Sequence, residues 1–235
     1  MALSPFHTCE QMTISLTHRI AAAFIIGILP VCGHAAIGLF GRHYSPLDSE
    51  RPTRPRTDYI VLHTTEGPAK GSYEKLSRYG EAHYMVDRSG RVYMIIRKEK
   101  VARHAGLSMW NGKQDIDNRS IGIEAVGYYN KPLTDAQYAA LKRLVGNLKR
   151  AYRISDDRVL THSMIAYGRP NKWFSRAHRG RKRCGMLFAD PSIRAKIGLY
   201  KQYPFDPDVK AGRLAVGDAY LARMLYPKPL LPKRR

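Results

Sequence analysis

The sequence predicts a single α/β domain built on a central mixed β-sheet flanked by helices. Short apolar, β-prone runs occur at Tyr59–Leu62, Ser120–Val126 and Val159–Thr161. A strongly periodic helical segment, from about Asp135 to Tyr152, separates the last two. Strands and helices mixed in this order are the pattern of a sheet covered by helices.

The first run ends at His63 and is broken by Thr64-Thr65-Glu66-Gly67-Pro68. Ser72 to Tyr79 has helical spacing, with Tyr73, Leu76 and Tyr79 on one face. His83–Val86 and Val92–Ile96 read as two strands around the turn signal Asp87-Arg88-Ser89-Gly90-Arg91. The segment SIGIEAV, from Ser120 to Val126, is a further apolar strand. In the long helix Tyr138, Leu141, Leu144, Val145, Leu148 and Tyr152 recur at three- and four-residue spacing, and Thr134 with Gln137 forms a capping box at its start. Val159–Thr161 leads directly into His162. Beyond it, Pro191–Ile197 and Val216–Leu225 read as short helices, and Pro227–Arg235 as a Pro- and Lys/Arg-rich tail. No internal repeat is present.

A chain of 235 residues with 44% hydrophobic content accommodates one ordinary domain with extensions and excludes wholesale disorder. Ahead of the domain, Ile20 to Val31 is apolar apart from Gly27 and Pro30, follows Arg19, and precedes small residues that suit cleavage before Ala36. The run is shorter than the roughly 20 residues that span a bilayer, and Pro30 would break a helix. Residues 1–35 are therefore expected to be a secretory signal, with a start at Met12 as a variant reading and an uncleaved membrane anchor as the competing one. The product is expected in the periplasm or otherwise exported, with no stable membrane span after cleavage. Residues 36–57 read as a linker, 58–200 as the domain and 201–235 as a basic C-terminal extension. The formal charge of +21 favours anionic partners. Anionic envelope polymers fit export. Specific nucleic-acid binding is not expected, since the chain carries no recognisable groove-reading motif.

Removal of the signal would take Cys9 and Cys32 with it, leaving Cys184 without a partner in the mature chain. A thiolate bound to a metal is one explanation of a lone cysteine in an exported protein. His63, His162 and Cys184 each lie just past an expected strand or in a loop, and two imidazoles with one thiolate make a three-ligand zinc set with an open fourth position. Their spacing forms no compact ligand motif, so a purely structural role for each histidine stays open. Glu124 lies inside an apolar strand, where it either alternates outward to solvent or serves a nearby site as general base. Lys182 is two residues before Cys184. An extended segment would put both on one side, and the lysine is then either an oxyanion stabiliser or one more cation in a solvated run.

Five blocks, YIVLHTTEG (Tyr59–Gly67), AHYMVDRSG (Ala82–Gly90), RHAGLSMW (Arg103–Trp110), NRSIGIE (Asn118–Glu124) and LTHS (Leu160–Ser163), resemble in order those of the zinc-dependent N-acetylmuramoyl-L-alanine amidases. This is the type-2 amidase family, akin to phage amidase lysozymes and peptidoglycan recognition proteins. The resemblance covers about Asp58 to Gly185 and implies a type-2 amidase-like fold and a peptidoglycan or muropeptide substrate. It also implies Zn2+ held by His63, His162 and Cys184, Glu124 as catalytic base, and Lys182 as a second catalytic group. By the same resemblance His83, His104 and Trp110 are expected at the substrate cleft. Two departures stand out. Met164–Arg181 is a longer, basic insertion between the second and third ligands, and His178 within it is an alternative third ligand. The catalytic tyrosine of phage-type relatives is replaced by Ala82, although Tyr84 is near. A non-catalytic module that only binds peptidoglycan is the alternative reading.

Overall fold

The computed structural model describes residues 44–231. The expected signal segment, Cys9, Cys32 and the last four residues lie outside them. Among the described residues no helix is long and apolar enough to cross a membrane.

The chain forms β1 (Tyr59–Thr64), α1 (Ala69–Tyr79), β2 (Tyr84–Val86), β3 (Val92–Met94), β4 (Met109–Trp110), β5 (Lys113–Gln114) and β6 (Ser120–Ala125). There follow α2 (Asp135–Tyr152), β7 (Val159–Thr161), α3 (His162–Ile165), β8 (Tyr167–Gly168) and β9 (His178–Arg179). The last elements are α4 (Pro191–Lys196), α5 (Pro207–Lys210), β10 (Ala215–Val216) and α6 (Ala219–Leu225). Five strands make the central mixed sheet in the order β3-β2-β6-β1-β7, parallel throughout except for the β2–β3 hairpin.

The register of β1 on β6 sets which side chains reach each face of the sheet. Tyr59 lies opposite Ser120, Val61 opposite Gly122 and His63 opposite Glu124. Because side chains alternate along a strand, these six share one face of the sheet. Ile60, Leu62, Ile121, Ile123 and Ala125 take the other and pack with Leu141, Leu144, Val145 and Leu148 of α2 in the main core. The α2 boundaries are those expected from periodicity. Its capping box is formed as well: Gln137 N–H donates to Thr134 Oγ1 (3.2 Å) and Thr134 N–H to Gln137 Oε1 (3.1 Å). Arg153, in the left-handed region at φ 53°, ends it.

Two expected boundaries do not correspond to breaks in packing. Residues 44–57 are not a free linker: Ser45 N–H pairs with Ile95 O (2.8 Å), Asp48 accepts from Arg97, and Arg54 is buried. Residues 201–226 are likewise built in. The guanidinium of Arg179 is buried against Asp206 (2.6 Å) and Asp208 (3.1 Å), and Asp208 also accepts the backbone N–H groups of Asn111 and Gly112. The cationic insertion therefore meets its acids from a later part of the chain, which local composition does not reveal. The helix expected at Val216–Leu225 starts only at Ala219, because Val216 pairs with Arg179 in a second, three-stranded sheet and Asp218 caps the helix.

Candidate active site

His63 leaves the C-terminal end of β1, and Glu124 sits beside it on β6 with 3.6 Å between Nδ1 and Oε1. His162 starts α3 directly after β7, where Thr161 Oγ1 accepts the Met164 N–H and turns the chain (3.2 Å). Cys184 arrives from the loop after β9. Gly185 N–H donates to Thr64 Oγ1 (2.8 Å), and Cys184 O accepts from Ser163 N–H (3.1 Å), so this loop is tied to both histidine-bearing elements. Only glycine fits at 185. Its φ is +72°, and a Cβ there would lie 2.3 Å from Leu62 O.

One ligand atom from each of His63, His162 and Cys184 lies within 4.8 Å of the other two, and Cys184 Sγ is 3.6 Å from His63 Nδ1. These residues line one cleft together with Glu124, Lys182 and His104, the last through its backbone, since its side chain is enclosed behind His63. The structure thus gathers six of the eight residues singled out in the sequence. Glu124 does not point to bulk solvent. It is 9% exposed, and Oε2 has no hydrogen-bond partner. Glu124 does alternate away from the face of Ile121 and Ile123, but the second face of β6 is a cleft floor instead of an outer surface.

The other two residues are corrected. His83 does not line the cleft; it is fully buried behind it, accepting Gly122 N–H at Nδ1 (2.9 Å) and donating from Nε2 to Lys100 O (2.9 Å), with Arg54 alongside. Trp110 is a core residue packed with Ile116, Leu160 and Met164, and its indole rests edge-on against Tyr203. His178 is no alternative ligand. It is buried in the three-stranded sheet, stacked on Phe174 at 4.1 Å between centroids, and bonded to Arg176 O. Tyr84 lies in the main core, on the face opposite the cleft.

Burial sets the protonation of the cluster. It holds His63 and His104 well below the ordinary imidazole range, with neighbouring imidazoles adding to the effect. His162 is lowered to about 4, first by burial and then by Lys182. Glu124 is raised to about 8 by burial, and the Cys184 thiol is pushed up by burial and then by Glu124. The imidazoles are accordingly bare nitrogen donors at neutral pH, and a cation entering would displace protons from sulfur and carboxyl. One soft sulfur and two imidazole nitrogens suit zinc, and Glu124, with Oε1 3.6 Å from His63 Nδ1, lines the same cleft.

Residues 52–184 match the family model for N-acetylmuramoyl-L-alanine amidase. The chain belongs to that family. Among characterised members it is similar to 1,6-anhydro-N-acetylmuramyl-L-alanine amidase AmpD of Haemophilus influenzae, at 34% identity over 97 residues, covering 40% of this chain and 53% of the relative. It is also similar to AmpD of Enterobacter cloacae (38% over 113 residues; 48% and 60%) and N-acetylmuramoyl-L-alanine amidase AmiD of Escherichia coli (28% over 149 residues; 55% and 54%). The chain spans about half the length of the curated relatives it matches. A solved structure of AmpDh3 from Pseudomonas aeruginosa in complex with anhydromuramic pentapeptide aligns with 28% identity and a TM-score of 0.45, over 52% of this chain and 58% of that one.

Family membership places the amidase match across β1 to Cys184 and leaves α4 to α6 outside it. Of the residues that shape the site, sequence reasoning missed Arg54, Asp117, Ser120, Gly122 and Gly185. Gly122 had a legible signal, since a glycine inside a strand often marks the close approach of another group.

Proposed function

We propose that this protein hydrolyses the amide between the lactyl group of N-acetylmuramic acid and L-alanine in peptidoglycan or muropeptides, with zinc held by His63, His162 and Cys184. The observation that carries this reading is the convergence of those three ligand atoms beside Glu124 on the floor of one cleft. Zinc, when bound, would supply Lewis-acid chemistry, polarising the scissile carbonyl and making water a stronger acid.

Glu124 is the general base. Its buried carboxyl has a raised proton affinity, so once ionised it takes a proton from the attacking water and returns one to the leaving amine. Lys182, which lines the same cleft, stabilises the charge that develops on the carbonyl oxygen. The family membership and the similarity to AmpD and AmiD support the substrate class. The apolar segment ahead of residue 36 supports export, to the periplasm or to a membrane-anchored position. The cationic insertion carries the exposed Trp173, with Lys172 over its ring, and we assign it attraction to anionic envelope polymers. Digestion of purified muropeptides, followed by mass, tests the activity: release of free stem peptide that stops on chelation is expected. Tight binding without release would establish the non-catalytic alternative.

A further inference from the structure

His104 reaches His63 from the side away from Cys184, and its hydrogen bonds determine where each ring proton sits. The Ser120 hydroxyl has one hydrogen, and Ile116 O, a pure acceptor, lies 2.6 Å from its oxygen. That hydrogen is thereby committed. Ser120 Oγ can only accept from His104 Nε2, 3.2 Å away, so Nε2 of His104 carries the ring proton. In the neutral ring Nδ1 is then bare, and it lies 3.1 Å from His63 Nε2. His63 must donate there, which leaves His63 Nδ1 bare, facing Cys184 Sγ and Glu124 Oε1, each 3.6 Å away.

We propose that His104 and Ser120 are positioning residues whose hydrogen-bond relay, Ile116 O to Ser120 to His104 to His63, fixes the His63 tautomer that offers Nδ1 to a metal. The opposite tautomer would place a hydrogen where the ligand lone pair must be. Three features hold the relay in place. Asp117 accepts the backbone N–H groups of His104 (2.9 Å) and Ala105 (2.7 Å). The His104 ring is fully enclosed, with its side chain 0% exposed. Gly122 leaves room for it, since a Cβ there would lie 2.4 Å from His104 Cγ. The strand SIGIE thus serves the site three times on one face, through Ser120 as acceptor, Gly122 as clearance and Glu124 as base.

The inference rests on the metal-site reading for its purpose, but its protonation pattern can be measured independently. Long-range 1H–15N NMR of the zinc-free full chain should show the Nε2–H tautomer for both His63 and His104; an Nδ1–H tautomer at His63 overturns the relay. Zinc affinity by chelator competition should fall ~10–100-fold in Ser120→Ala and in His104→Phe. His104→Asn, which keeps an acceptor where Nδ1 stands, should recover most of that loss. Unchanged affinity in Ser120→Ala, or equal losses for the Phe and Asn variants, would contradict the proposal. If the unaltered chain bound no zinc, the functional reading would fail while the NMR result would still decide the tautomers.

Discussion

The two faces of the β1–β6 strand pair use the same backbone for opposite purposes. On one, Ile60, Leu62, Ile121 and Ile123 meet Leu141, Leu144, Val145 and Leu148 of α2 in a layer of aliphatic side chains. On the other, His63, Ser120, Gly122 and Glu124 carry donors, acceptors and one deliberate gap. A one-residue shift of register would exchange the two sets, so the hydrophobic face fixes the polar one. The site's precision therefore derives from the core layer behind it.

Changes on the two faces should therefore separate activity from stability. The largest effect is expected from Glu124→Gln, which keeps the shape but removes the base: turnover should drop ~10²–10⁴-fold while zinc content and unfolding midpoint stay near those of the parent. A loss of zinc in parallel would assign Glu124 to metal binding. On the opposite face, Ile123→Ala should reduce stability by ~2–5 kcal/mol in denaturant titration, with turnover per folded molecule unchanged. Lys182→Ala should lower turnover ~10²–10³-fold with zinc retained, and normal activity in a zinc-loaded variant would remove its assigned role.

The smallest effect concerns pH. His83 is lowered from 6.5 to about 3 by burial and by Arg54, so it stays neutral in the fold while the unfolded chain takes up a proton. Stability is thus lost as pH falls below 6.5, by about 1.4 kcal/mol per unit for such a group. Glu124 acts with the opposite sign: its raised value means that stability is lost as pH rises from 4.5 towards about 8 in the zinc-free protein. Urea unfolding of zinc-free protein between pH 6 and 4 should show a shallower slope in His83→Asn. An unchanged slope would mean that His83 protonates within the fold.

Much of this arrangement was legible in the sequence where the signal is local. Periodicity placed α2, and alternation in SIGIEAV separated Ile121 and Ile123 from Glu124. The grouping of His63, His162 and Cys184 was suggested by chemistry-bearing residues at strand ends and by the resemblance to type-2 amidases, and the structure brings their ligand atoms within 4.8 Å of one another. What was not legible depends on contacts distant in sequence. Trp110 and His83 sit in blocks that border the cleft, yet packing turns both into the interior. Arg179 belongs to a basic run, but its acids at Asp206 and Asp208 come from a segment that composition marks as an extension. Ser120 is an ordinary strand residue until the ring of His104 is placed over Gly122.

His63, His162 and Cys184, distant in order, bring their ligand atoms close enough to share one metal ion. Zinc K-edge absorption on purified protein, compared with its content in Cys184→Ser, tests this most directly. The expected result is one equivalent of zinc with a single sulfur at about 2.3 Å and nitrogen neighbours at about 2.0–2.1 Å, the sulfur signal disappearing in the variant. Zinc bound without any sulfur neighbour, or bound equally by the serine variant in an unchanged environment, would contradict it.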